Sequence, residues 1–509
     1  MTKQKIIIIG AGIGGLATAN LLARAGYNVH IYEASSTAGG RAGTLIKDGF
    51  TFDTGPSWYL MPEVFEHYYK LLGLTVKTQL DLKKLSPAYR VFFEHEPPIT
   101  ITSNLKKDAA TFEKIESGSG NWLKEYVRKS DKIYKLSLDH FLYSNFGHVK
   151  DFINKTVLVN GPTMARLALT PIHRYISEHL HEKRLQQILE YPMVFLGTSP
   201  FKAPALYSLM SALDFKEGVY YPQGGLYKII ESLVSIADGL GVTIHYSSPI
   251  KKIIVEGNVA SGVLVGNTSI AADIIISNAD LHFTETKLLD KTHQTYPEKY
   301  WSKHEAGPSA LLMYLGIKGS LPEFNHHNLL FVDNWKKNFH DIYTAKQLSE
   351  KPSIYICKPS QTDPSVAPSG YENVFILVPL PAGISMSEST AKKLADRYIV
   401  QIEEMTHTSF TKRIVSKTIF RPDEFGTKFN SWKNTALGPS HILKQSAFFR
   451  TPNISKKVKN LYYVGGSTVP GIGLPMCLIG AELVYKRLAG NKRGGRVNSI
   501  ETLSGASRK

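Results

Sequence analysis

An α/β fold is predicted for this chain of 509 residues by three observations. A β-branched run near the start, Lys5-Ile-Ile-Ile-Ile9, passes at once into a glycine-rich turn and an Ala/Leu-rich helical stretch. A second glycine pair follows the next strand-like run, and a segment near the end repeats the order strand, Gly-Gly, helix. Single cores stop growing near ~250–300 residues, so a chain of this length holds two or more layered units. Its 43% hydrophobic and 20% charged residues are those of an ordered globular protein.

The first turn reads Gly10-Ala11-Gly12-Ile13-Gly14-Gly15 and leads into a helix over Leu16 to Ala25. In G-x-G-x-x-G the glycines Gly10, Gly12 and Gly15 permit a tight turn, close approach of backbone to a pyrophosphate, and close packing of helix on strand. The helix N-terminus then offers free N–H groups to the phosphates. Gly26 ends the helix, Asn28 to Tyr32 reads as the second strand, and Glu33 follows eighteen residues after Gly15. An acid there is placed to accept from ribose hydroxyls, which makes the unit Rossmann-type. The same uncharged stretch, Ile6 to Ala23, has the hydropathy of a secretory or marginal membrane segment, but its glycines, Thr18 and Asn20 favour the turn-and-helix reading.

Next come Ala34-Ser-Ser-Thr-Ala-Gly39-Gly40-Arg41 and Phe52-Asp53-Thr54-Gly55-Pro56-Ser57. Adjacent glycines let backbone press against a flat ring or a diphosphate, and Arg41 supplies a forked cation for a second phosphate. Near the end stands Asn460 to Val464, then Gly465-Gly466-Ser-Thr-Val469-Pro-Gly-Ile472-Gly473-Leu474-Pro475 and an apolar helix from Met476 to Leu488, a second place where backbone donors meet a ligand. A middle segment runs through Tyr221-Pro-Gln-Gly224-Gly225-Leu226, a helix to about residue 239, a strand over Val242 to Ile250, and Ala272 to Asp280.

These segments resemble the FAD-dependent flavoproteins of the amine oxidase-like superfamily, and within it the bacterial-type carotenoid (phytoene) desaturases. The resemblance runs from Ile6 to Gly490 and includes Gln445-Ser-Ala-Phe-Phe-Arg450-Thr-Pro-Asn453; Val469 and Ile472 depart from the family pattern beside the flavin. It implies a Rossmann-type FAD-binding domain with an inserted mixed-sheet plus helical substrate domain. The FAD domain is expected over 1–85, 216–290 and 455–490, the substrate domain over 86–215 and 291–454, and a disordered tail over 491–509. By the same resemblance FAD is held by Gly10, Ala11, Gly12, Gly14, Gly15, Glu33 and Ala34, by Gly40, Arg41, Gly55, Pro56 and Ser57, by Ile250, Asn278 and Ala279, and by Gly465, Gly466, Gly473, Leu474, Pro475 and Met476.

The implied reaction introduces double bonds into an acyclic polyene such as phytoene or diapophytoene, with a hydride passing to the flavin. Asp151 is the position most similar to an acid that the family is thought to use; a solvated carboxylate at a helix start is its plainer reading. A quinone or oxygen is the implied electron acceptor. A flavin amine oxidase, or another carotenoid-modifying member such as an isomerase or a late-pathway desaturase acting on an oxygenated carotenoid, is the enzymatic alternative; Tyr462 and Tyr463 are the candidate cage aromatics, with core packing in a strand as their plainer reading. A lipid-binding protein of the GDI type is the non-enzymatic one, disfavoured by Gly39, Gly40 and Arg41.

A net charge of +17, from 60 basic and 43 acidic residues, favours an anionic partner. The basic residues are mixed with acids, as in Lys106-Lys107-Asp108, and are not interleaved with aromatics, so a membrane surface ranks above nucleic acid. A lipid-dissolved substrate calls for a monotopic, peripherally membrane-associated enzyme in the cytoplasm, and Val157 to Ile176 is the candidate contact segment, with a core helix as the equal alternative. An oligomer is compatible with all of this. Cys357 and Cys477 are far apart, His179 and His181 would lie about 200° apart on a helix, and His326-His327 lack a carboxylate companion, so neither a disulfide framework nor a metal site is expected.

Overall fold

The computed structural model describes residues 3–146 and 155–503. Twelve strands build its two main sheets: β1 (Lys5–Ile9), β2 (Asn28–Tyr32), β3 (Tyr89–Phe93), β4 (Ile99–Ile101), β5 (Thr243–His245), β6 (Ile274–Ser277), β7 (Ser309–Lys318), β8 (His327–Phe331), β9 (Ile354–Cys357), β10 (Tyr371–Leu380), β11 (Ile414–Phe420) and β12 (Leu461–Tyr463). Five helices matter here: α1 (Ile13–Arg24), α2 (Lys155–Leu169), α3 (Tyr227–Gly239), α4 (Glu388–Thr406) and α5 (Leu474–Leu488).

The first sheet is wholly parallel, in the order β12-β6-β1-β2-β5. Its strands are short β-branched runs because both faces are covered, so neither alternate set can be polar. Ile6 and Ile8 pack into the cluster that contains α1, α3 and α5, whereas Ile7, Ile9 and Ile275 pack on the opposite side against Val263, Trp301 and Tyr463. Helix α1 is tied to α3 by Asn20, whose amide donates to the Leu233 carbonyl at 3.0 Å. The strand expected over 242–250 divides: β5 ends at His245, the chain turns at Ser247 with positive φ, and Ile250–Glu256 begins an antiparallel three-stranded sheet.

The second sheet has the order β11-β7-β10-β9-β8-β3-β4 and is antiparallel except where β8 runs parallel to β3. Side chains alternate between its faces: Leu311, Met313, Leu315 and Ile317 of β7 pack into the cluster covered by α4, and Ala310, Leu312 and Tyr314 face Phe50 and Phe52. Those two phenylalanines belong to a hairpin, Thr44–Lys47 with Phe50–Asp53, that leaves the parallel sheet's side of the molecule to dock here. Gly316 makes room for it, since a Cβ there would lie 2.3 Å from the Phe50 ring.

Two expectations are corrected. His179 and His181 follow a helix that ends at Ser177, so helical geometry does not relate them. The tail is ordered as far as residue 503: Val497 is buried, its N–H donates to Glu482 at 2.7 Å, Lys486 donates to the Gly495 carbonyl at 2.8 Å, and the Leu503 N–H donates to Ala25 at 2.9 Å. The composition of the tail is polar, but α5 offers it a buried carboxylate and a buried ammonium, and satisfying those groups orders the chain. Removing residues 491–509 should therefore destabilise the protein by about 1–3 kcal/mol, read as a lower urea midpoint at unchanged slope.

Candidate cofactor and substrate site

The C-terminal ends of β1, β2, β6 and β12 bring the glycine segments together. Gly12 caps α1 without a side-chain acceptor, and no acid occupies the first turn, so the leading N–H groups are open to an anion. The second glycine segment lies directly against the first: the Gly39 N–H donates to the Ala11 carbonyl at 2.9 Å, and a Cβ on Gly40, whose φ is +57°, would sit 3.6 Å from the Gly12 Cα. Gly55 presses on the same segment, because a Cβ there would lie 2.1 Å from the Arg41 carbonyl oxygen.

Asn278 and Ala279 follow β6. The Asn278 amide donates to the Gly10 carbonyl at 3.4 Å, and built Cβ atoms on Gly12, Gly14 and Gly465 would lie 2.9, 2.6 and 3.1 Å from it. The glycines thus make room for this amide as well as for a phosphate. Glu33 accepts from the Ala11 N–H at 2.7 Å and from the Ser35 N–H at 2.8 Å, one on each carboxylate oxygen. A carboxylate has about four acceptor positions, so a ribose still finds two. The Ser247 and Ser248 N–H groups donate to the Ser35 and Glu33 carbonyls at 2.9 and 2.8 Å, which brings the chain before Ile250 to the end of β2, beside exposed Ala34.

Arg41 reaches the Ser431 hydroxyl and lies 3.6 Å from Asp280, while its Nε is buried with no hydrogen-bond partner among the described residues. An orphaned guanidinium N–H beside two uncapped helix starts fits a diphosphate. The second start is that of α5, where Gly473 (φ +119°) precedes Leu474, Pro475 and Met476. Burial pushes the Cys477 thiol of this turn up to about 12, opposed by the Arg41 charge.

The Gly465-Gly466 turn is held from behind by the 445–453 segment. Buried Arg450 donates to the carbonyls of Gly466, of Thr468 at 3.0 Å and of Gln445 at 3.2 Å; Asn453 donates to Tyr463 and Val469 carbonyls at 3.1 and 3.0 Å. Burial lowers Arg450 to about 10, still cationic at neutral pH. Pattern reading found these residues without finding their task.

Asp53, Trp58 and Tyr355 were missed. Asp53 accepts the Leu226 and Tyr227 N–H groups at 2.8 and 3.0 Å, capping α3 from far along the chain, and burial raises its carboxyl to about 6. Ser57 meets the Tyr355 hydroxyl of β9 at 2.6 Å. Trp58 stacks on His327 with ring centroids 4.2 Å apart and contacts Tyr89 at 5.6 Å and Phe195 at 5.3 Å. Behind this wall buried Asp214 accepts from Tyr89 at 2.7 Å and Tyr191 at 3.2 Å, and burial raises it to about 7. A tryptophan directly after the D-x-G-P-S turn was the available signal for the wall. Tyr462 and Tyr463 are buried in β12, the latter bonded to Glu285, and form no cage. Asp151 lies outside the described residues.

Two uncapped helix starts, an acid at the end of β2 and a second glycine turn on a parallel sheet fit the dinucleotide of a flavin-dependent oxidoreductase. The chain belongs to the flavin containing amine oxidoreductase family, whose model matches residues 13–483, and its cofactor is FAD. It is 36% identical over 486 residues to a carotenoid 3,4-desaturase of Haloarcula japonica, covering 95% of this chain and 97% of that one. It is 34% identical over 493 residues to a zeta-carotene-forming phytoene desaturase of Myxococcus xanthus, covering 95% and 94%. Among solved structures, an oxidoreductase of Methanosarcina mazei shares the fold, with a TM-score of 0.61 at 17% identity over 94% of this chain and 99% of that one.

Gly15→Ala places a Cβ 2.2 Å from the Gly10 carbonyl oxygen, inside the turn itself. The variant should retain at least about tenfold less flavin per chain, read from the visible absorbance of the purified protein, with urea denaturation as the check that it folds.

Proposed function

We propose that the chain is an FAD-dependent desaturase that introduces double bonds into an acyclic carotenoid. The match to relatives named as carotenoid desaturases, over almost their whole length, carries this, and a largely buried aromatic cluster of Trp58, Tyr89, Tyr191 and Phe195 stands beside the Ser57 turn. Such a cluster suits an uncharged hydrocarbon, whereas an amine cation would need a charge or a cage of exposed ring faces.

In this proposal the flavin-binding unit comprises 1–85, 216–290 and 455–490, and the inserted segments 86–215 and 291–454 carry the polyene. Backbone N–H groups from Gly12 to Gly15, those at Gly40 and at the start of α5, and the Arg41 guanidinium hold the diphosphate; Glu33 takes the ribose hydroxyls beside Ala34 and Ile250. Gly55, Pro56, Ser57, Gly465 and Gly466 surround the ring system, positioned by Asn278, Arg450 and Asn453. The chemistry that bound FAD supplies is acceptance of a hydride from the polyene. The aromatic wall excludes water and aligns the chain, and the proton lost from the adjacent carbon needs little help when charge spreads over conjugated bonds; Asp151 remains a candidate acceptor. A quinone or oxygen is the proposed final oxidant.

Among the described residues no helix is long and apolar enough to cross a membrane. We place the enzyme on the cytoplasmic membrane surface through a patch on α2 and the 443–449 loop, joined by Tyr207, whose hydroxyl meets Ser446 at 2.7 Å. Val159 and Leu169 of α2 are 70% and 76% exposed, Phe448 and Phe449 are 54% and 65% exposed, and Arg166 and Lys444 sit beside them. Apolar groups rimmed by cations match an anionic interface. Only the part of the expected contact segment up to Leu169 takes part, because Ile172 and Ile176 are buried in the core.

Expressed in hosts that accumulate phytoene, diapophytoene or a fully conjugated acyclic carotenoid, the protein should lengthen the chromophore in one of them, seen as red-shifted polyene bands; bound flavin with no shift in any host would sink the assignment. Phe448→Ser with Phe449→Ser should lower co-sedimentation with anionic lipid vesicles at least about tenfold, since each phenylalanine contributes about 1.5–3 kcal/mol on burial, while flavin content stays constant.

A further inference from the structure

His326 and His327 are 2% and 0% exposed, yet among the described residues neither Nε2 atom has a hydrogen-bond partner. A buried ring nitrogen left unpaired costs about 1–3 kcal/mol, so two together call for a common partner. A third donor lies with them. Cys357, also buried, stands directly opposite His327 in the antiparallel β8–β9 ladder. One nitrogen of each imidazole and the Cys357 sulfur lie within 4.8 Å of one another. In a filled tetrahedral site, with bonds of about 2.0 Å to nitrogen and about 2.3 Å to sulfur, neighbouring donors are about 3.5 Å apart, so closing these three takes about an ångström of side-chain movement.

The far sides of both rings are already anchored. His326 Nδ1 meets the Thr362 hydroxyl at 2.8 Å, and His327 Nδ1 meets the Tyr355 hydroxyl at 2.8 Å. With Nδ1–H donated outward, each unpartnered Nε2 keeps a lone pair for a ligand, which is how outer-shell partners prepare metal-binding imidazoles. A cavity of about 10 Å³, room for about one water, borders Cys357 and is also walled by Asp53, Ser57 and Tyr221.

We propose that His326, His327 and Cys357 bind one zinc-class divalent ion through two imidazole nitrogens and a thiolate, with water from the adjoining cavity in the fourth position. Binding releases the thiol proton of Cys357 to solvent and moves no electrons; two neutral imidazoles and one thiolate reduce the ion's double charge to a single one. Mixed nitrogen and sulfur donors select zinc and its neighbours over magnesium or calcium. The ion cross-links β8 to β9 under Trp58, fixing the floor of the aromatic wall independently of which polyene is turned over.

The flavin-loaded protein, purified from zinc-supplemented cells and desalted, is measured for zinc by plasma mass spectrometry. About one zinc per chain is expected, falling at least about tenfold in Cys357→Ser and in His326→Ala compared at equal flavin content. Less than about a tenth of an equivalent in the wild type, both as isolated and after refolding with zinc chloride, overturns the proposal, as does zinc retained by both variants. Should the variants fail to fold, the cobalt-substituted wild type decides: thiolate-to-metal charge transfer with tetrahedral ligand-field bands to the red of the flavin supports the site, and bound cobalt without the thiolate band overturns it. No readout involves the substrate, so failure here and failure of the desaturase assignment are distinguishable.

Discussion

The side chain of Asn278 fills the space that a Cβ would need at Gly12, Gly14 or Gly465, between 2.6 and 3.1 Å from each built position. The turn after β1 and the turn after β12, from distant parts of the chain, can therefore meet around one amide carried by the segment after β6. Backbone dipoles hold an anion only when they share a focus, and the focus here is made by packing small residues around a polar one. Displacing that amide would separate the turn after β1 from the turn after β12, so the cradle depends on it even though it is not itself the main donor.

The 50–58 segment carries the site from the parallel sheet to the antiparallel one. Phe50 and Phe52 bury their rings against β7, Asp53 caps α3, Gly55 lies on the Arg41 carbonyl, and Ser57 bonds to Tyr355 of β9. Each contact is modest alone, a net hydrogen bond being worth about 0.5–1.5 kcal/mol, but together they fix one short loop from several directions. The glycine turns and the aromatic cluster are consequently positioned by the same nine residues, with Trp58 as the first member of the cluster.

Much of the first unit was legible because its signals are local. Lys5–Ile9 followed by three spaced glycines and a helix is a pattern whose physical cause lies within twenty residues, and Glu33 comes one strand later. The Gly39-Gly40-Arg41 and Gly465-Gly466 turns were recognisable as places where backbone meets a ligand. Helix ends and strand limits shifted by a few residues, and the strand expected to reach Ile250 broke at Ser247, because turn geometry there follows from tertiary contacts with Ser35 and Glu33. The tail misled for the converse reason: its composition is that of a disordered segment, and the groups on α5 that order it are invisible from within it.

By itself, then, the sequence determined which stretches form the nucleotide-type turns, that both faces of the parallel sheet are covered, and which residues could present an acid or a cation to a dinucleotide. Only the tertiary structure decided that Asp53 caps α3, that Arg450 and Asn453 brace the last glycine turn, that Trp58 heads an aromatic wall, and that Cys357 stands opposite His327. The physical reason is range. Periodicity and turn chemistry are set by neighbours a few positions along the chain, whereas these contacts join residues 10 to 174 positions apart, and they come into being only when buried apolar faces have brought the two sheets together.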